Sequence, residues 1–116
     1  TAGLDPTAKE ELLLFLKELN KKFHKTIVII THDMEVVSKY IDRVIVLNKG
    51  KKMFDGSKVE LFKNHEIIKN NNLDYPETIR IMCEINSKLN VDLDIYQFNV
   101  NDAFDELRKK LGENHE

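Results

Sequence analysis

Thr26-Ile27-Val28-Ile29-Ile30-Thr31-His32-Asp33 is the stretch on which the reading of this chain turns. A β-branched run without polar alternation predicts a strand buried on both faces of a parallel sheet. His32 follows that strand directly, at the carboxyl end, where α/β proteins bind their ligands. An imidazole there can donate to a phosphate oxygen and register whether a terminal phosphate is present. Taken alone, a histidine after a strand is more often structural, so its surroundings must decide.

Toward the N-terminus, Asp5-Pro6 predicts a helix start, with Asp5 as N-cap and Pro6 pre-set for the first helical position. Ala8, Leu12, Phe15, Leu16, Leu19 and Phe23 fall on one face at helical spacing. Leu13 and Leu14 lie off that face and call for cover from elsewhere. His24 ends this helix, where a cation suits the dipole. Toward the C-terminus, a short helix from about Asp33 to Tyr40 points Met34, Val37 and Ile41 inward. Arg43-Val44-Ile45-Val46-Leu47 reads as a second buried strand. Asn48-Lys49-Gly50-Lys51 is a turn, and Lys52-Met53-Phe54-Asp55 returns as a hairpin arm ended by Gly56. Ser57 caps a helix carrying Val59, Leu61 and Phe62.

Helix, strand, helix, strand predicts an α/β unit with right-handed crossovers. Two parallel strands and one hairpin arm make a thin sheet with a bare edge. The expectation is that sequence N-terminal to Thr1 supplies the neighbouring strands.

Asn70-Asn71-Asn72 is a polar break. Beyond Pro76, the stripe Thr78, Ile81, Met82, Ile85 and Leu89 predicts a helix. Asp92-Leu93-Asp94-Ile95 alternates as a short extended segment. Asn99 and Asp102 have capping-box-like spacing. Val100, Ala103, Phe104, Leu107 and Leu111 form a further helical stripe, and Gly112 fits a stop.

Composition excludes several classes. A formal charge of −2 gives no reason to propose a nucleic-acid partner. The single cysteine, Cys83, excludes an internal disulfide and reads as a small core residue. No Cys/His cluster has metal-ligand spacing, so no metal site is expected. No apolar run approaches the ~20 residues of a membrane span. Lys49, Lys51 and Lys52 read as a solvated hairpin, and His65 and His115 are isolated.

The opening Thr1-Ala2-Gly3-Leu4-Asp5-Pro6, the segment Thr31-His32-Asp33 after its aliphatic run, and Tyr40-Ile41-Asp42-Arg43-Val44-Ile45-Val46-Leu47 together resemble the ATP-binding-cassette (ABC) ATPase family. The first segment resembles its D-loop and the second its H-loop. The resemblance implies the C-terminal part of a P-loop α/β ATPase domain with a small helical extension. It implies that His32 contacts the γ-phosphate of ATP as a switch. It also implies that Asp5 lies at the interface of a head-to-tail nucleotide sandwich, with Gly3 serving the turn of that loop. The family's phosphate loop, its Ser-Gly-Gly signature, its acidic Mg²⁺-holding strand and its catalytic Glu do not occur in these 116 residues. With no initiator Met, the chain reads as a fragment. ATP and Mg²⁺ are expected cofactors of an intact protein, and this stretch alone is expected to bind neither tightly and to hydrolyse nothing.

Gly56-Ser57-Lys58-Val59-Glu60-Leu61-Phe62 resembles the close of importer-type ATPase domains. Glu66-Ile67-Ile68, Leu73-Asp74-Tyr75-Pro76 and Asn99-Val100-Asn101-Asp102-Ala103 resemble the C-terminal extension of energy-coupling-factor transporter ATPases, which include cobalt-type importers. The expected division is 1–62, the end of the ATPase domain, and 63–116, a helical extension that pairs subunits. This implies ATP-driven uptake of cobalt, another metal ion or a vitamin. The implied partners are a second ATPase subunit, in a homo- or heterodimer, and a transmembrane coupling subunit at the cytoplasmic face of the membrane. Two alternatives stand beside it: a non-catalytic dimerisation module, and part of a soluble non-transport ABC ATPase.

Overall fold

A computed structural model describes residues 3–112. The chain divides into two compact units, Thr1–Thr31 and His32–Glu116. In the first, helix α1 spans Pro6–Phe23. Asp5 caps it as expected, its carboxylate accepting from the Ala8 N–H at 2.8 Å. Lys21 and Lys22 occupy the last turn, and His24 closes the helix at φ 53°. Leu13, off the expected stripe, is the buried residue of α1, whereas Leu14, Phe15 and Phe23 are exposed.

The stretch Thr26–Ile30 departs from expectation. It is in no strand, and Val28 and Ile30 are 82% and 96% exposed. Side-chain preference alone does not make a strand. The backbone N–H and C=O groups need a neighbouring strand to pair with, and none pairs with this run among the described residues.

The second unit begins with α2 (Met34–Tyr40) and a hairpin of β1 (Arg43–Asn48) and β2 (Lys51–Ser57). Among the described residues the sheet is this antiparallel pair, so the parallel arrangement anticipated from the sequence is not seen. Val44 and Val46 are buried while Ile45 and Leu47 are exposed. The run read as buried on both faces therefore covers a core on one face only. Lys49 and Gly50 form the two-residue turn with φ of 52° and 75°. Positive φ at both positions is what a type I′ turn requires, and its twist matches a hairpin. Val46 pairs with Phe54 but Leu47 with Lys52, so Met53 is an inserted bulge residue.

Four helices follow: α3 (Lys58–Lys63), α4 (His65–Asn70), α5 (Glu77–Leu89) and α6 (Val100–Gly112). Ser57 and Glu60 form a reciprocal capping box on α3. Asn99 caps α6 by accepting from the Asp102 N–H at 2.8 Å, and its own amide donates to the Asp102 carboxylate at 2.8 Å. The Asn48 amide donates to the Asn71 side chain at 2.9 Å, which ties the hairpin to the end of α4.

The core of this unit joins Met34, Val37, Val44, Val46, Leu61, Phe62, Ile68 and Ile79. Helix α5 buries Ile79 and Met82 and leaves Ile81 and Leu89 exposed. That rotates it from the stripe expected of it. Cys83, expected in the core, is exposed for the same reason. The segment before α6 alternates as anticipated, Leu93 buried between exposed Asp92 and Asp94. Helix α6 buries no residue fully.

Candidate functional site

His32 lies at a bend and is exposed. The next residue, Asp33, is the N-cap of α2 and accepts from the Glu35 N–H at 2.9 Å. Behind it, Met34, Val36, Val37 and Ser38 are all buried. The imidazole is therefore exposed at a bend just before a short helix that is anchored along most of its length. This suits a side chain that meets a ligand from outside the unit.

Three polar contacts hold α2 in place. Ser38 is 1% exposed, and its hydroxyl donates to the Phe98 carbonyl at 3.2 Å. Its carbonyl accepts from Lys58 Nζ at 2.7 Å. The same ammonium sits 4.6 Å from the centre of the Phe98 ring, a cation–π contact. Phe98 in turn packs on Phe62 with ring centres 6.0 Å apart. At the other end, the Glu35 carboxylate accepts from the Glu77 N–H at 2.6 Å. Sequence reading missed Glu35, Ser38, Lys58 and Phe98. The small polar Ser38 inside an apolar helix face was the one local signal, since a buried hydroxyl calls for a partner.

Asp5 and Gly3 belong to the other unit. Asp5 is exposed and engaged as a cap. Gly3 has φ +87°, a left-handed conformation that only glycine adopts without strain, and nothing lies within 4 Å of where a Cβ would sit. Both features fit a sharp exposed loop.

Two ion pairs hold charged groups elsewhere on the surface. The Arg43 guanidinium makes two hydrogen bonds to Asp55, at 3.0 and 2.9 Å, and this holds the Asp55 carboxyl below its usual range. Lys88 does the same for Glu84 one helical turn away. Burial raises the Tyr75 hydroxyl, with Tyr96 and Cys83 adding to it, and His65 Nδ1 hydrogen-bonds the same hydroxyl. Among the described residues no three His, Cys, Asp or Glu side chains converge as a metal site, and no helix is long and apolar enough to cross a membrane. His115 lies outside the described residues. Between α5 and α6 runs an apolar groove that includes Thr78, Ile81, Val100, Ala103, Phe104 and Leu107.

No protein-family model matches the chain. Curated relatives do. It is 35% identical over 98% of its length to the energy-coupling factor transporter ATP-binding protein EcfA2 of Ligilactobacillus salivarius strain UCC118, covering 39% of that protein. It is 37% identical over 83% of its length to EcfA2 of Clostridium perfringens strain 13 / Type A, covering 34%. It is 40% identical over 82% of its length to EcfA1 of Clostridium novyi strain NT, again covering 34%. The chain thus spans between a third and two fifths of the length of these relatives.

Proposed function

We propose, for a chain that is a sequence relative of the energy-coupling factor transporter ATP-binding proteins, that it forms part of the ATP-binding subunit of an ABC importer of that type. The observation carrying this reading is the identity to such proteins along nearly the whole chain. The exposure of His32, just before a helix whose next residues are buried, supports reading it as a nucleotide switch. Residues 1–62 would complete the ATPase domain and residues 63–116 would form its C-terminal extension. The parallel strands of a P-loop sheet would come from residues beyond this stretch, with Thr26–Ile30 as the strand that pairs with them.

In this reading His32 donates an N–H to an oxygen of the terminal phosphate of ATP. Bound ATP supplies the phosphoanhydride whose hydrolysis drives transport. Asp5 and Gly3 shape the loop that faces a second ATPase subunit across the nucleotide. His32 offers one contact to the nucleotide, and among the described residues no carboxylate cluster converges as an Mg²⁺ cradle, so by itself this stretch should neither hold ATP tightly nor hydrolyse it. Partners are the second ATPase subunit and a transmembrane coupling subunit, on the cytoplasmic face of the membrane. The cargo would be a metal ion such as cobalt, or a vitamin.

A pairing role for the extension is favoured by its exposed apolar side chains, Val100 at 71% and Phe104 at 55%. The primary test is His32→Ala in the intact subunit. Loss of one preorganised donor to a developing phosphate charge should lower ATP turnover on the order of 100-fold. The thermal midpoint should hardly move, because the side chain is exposed. Turnover equal to the unmodified protein would remove His32 from the site.

A further inference from the structure

Helix α5 lacks an N-cap side chain of its own: Pro76 occupies the cap position and makes no side-chain hydrogen bond there. The first N–H groups of a helix need an acceptor. Here the acceptor comes from a residue far away in sequence, Glu35 of α2, at 2.6 Å from the Glu77 nitrogen. Glu35 sits three residues after His32, in the first turn of α2, the helix that follows the His32 bend. A second tie joins α2 to the segment leading into α6, through Ser38 Oγ and the Phe98 carbonyl at 3.2 Å. Both ties run from the helix that follows His32 to residues beyond 63.

We propose that the C-terminal extension clasps the His32 helix, with Glu35 as a positioning residue for His32. This rests on the reading of His32 as a phosphate-contacting switch. A shift of α2 as His32 engages phosphate tightens the start of α5. Reciprocally, the seating of α5 biases where His32 rests, as linkage between two sites demands. The extension would then report nucleotide state to whatever contacts it, and would feed its own pairing back to the site.

The test uses the intact ATPase subunit and two readouts, amide hydrogen exchange and ATP turnover. Glu35→Ala should raise exchange severalfold at residues 34–38 and 77–80. It should lower kcat severalfold with KM little changed, because the contact acts on the terminal phosphate rather than on the whole nucleotide. Glu35→Gln keeps an acceptor oxygen and should restore both. Ser38→Ala, which removes the hydroxyl that donates to the Phe98 carbonyl, should loosen residues 34–38 in the same way. A non-hydrolysable ATP analogue should protect residues 77–80 in the unmodified protein and lose that effect in Glu35→Ala. Unchanged exchange at 34–38 in both variants overturns the clasp. So does raised exchange with an unaltered kcat where His32→Ala is impaired. Normal turnover by His32→Ala sinks the functional reading instead, and the clasp is then judged on exchange alone.

Discussion

Two neighbouring isoleucines on α5 give a sharp test of how the extension packs. Ile79 is 2% exposed and part of the core, whereas Ile81 is 48% exposed. Ile→Ala removes three carbon atoms. At about 0.8 kcal/mol per buried carbon, full burial forfeits about 2.4 kcal/mol. The void left at Ile79, facing a packed interior, raises the loss to about 3–4 kcal/mol. At Ile81 roughly half the transfer term applies and solvent fills the gap, so the loss is about 1 kcal/mol. The better helix propensity of Ala returns a few tenths in both variants. For a unit of this size each kcal/mol lowers the midpoint by about 4–8 °C. Ile79→Ala should therefore melt roughly 11–30 °C below the parent and Ile81→Ala only a few degrees below. Thermal unfolding followed by far-ultraviolet circular dichroism reads both. Equal losses, or a larger loss at Ile81, would refute the orientation of α5 described above.

Replacing both Phe104 and Leu107 by Asp should shift the intact subunit toward monomer in light-scattering chromatography, with little change in melting, since α6 buries no residue fully; an unchanged mass would mean the extension serves another purpose. Gly50→Ala at φ +75° should cost on the order of 1–2 kcal/mol in urea unfolding, although no atom lies within 4 Å of its new Cβ. Arg43 holds the Asp55 pKa below its unfolded value. The pair's contribution is therefore present above the unfolded carboxyl pKa and lost as pH falls through the lower folded one. Asp55→Asn should flatten the acid side of the stability–pH curve, and an identical acid limb would show that the exposed pair contributes nothing measurable.

The sequence legible at short range was legible correctly. Asp5, Ser57 and Asn99 cap the helices they were expected to cap. A cap is a contact between residues two or three apart, so the chain carries it locally. The same holds for Lys49-Gly50, whose turn closes within the hairpin. The resemblance to ABC ATPases was likewise readable from short motifs such as Thr31-His32-Asp33, and that to energy-coupling factor transporter ATP-binding proteins from tail segments such as Leu73-Asp74-Tyr75-Pro76.

What depends on distant partners was not readable. Thr26–Ile30 has the composition of a buried strand, yet strand formation needs another strand's backbone, and that belongs to the tertiary structure. The stripe on α5 fixed that the segment is a helix but not which face meets the core. Apolar residues occur on more than one side, and the choice of Ile79 over Ile81 is made by the core that Ile79 joins. The contacts of Glu35 with Glu77 and of Ser38 with Phe98 join residues 42 and 60 positions apart. No local pattern encodes such pairs, because they arise only when packing brings unrelated stretches of chain to the same place. Sequence alone therefore determined five of the six described helices, the caps Asp5, Ser57 and Asn99, the hairpin turn and the family resemblance. Tertiary structure decided which strands pair, which helix faces are buried and what holds the helix behind His32.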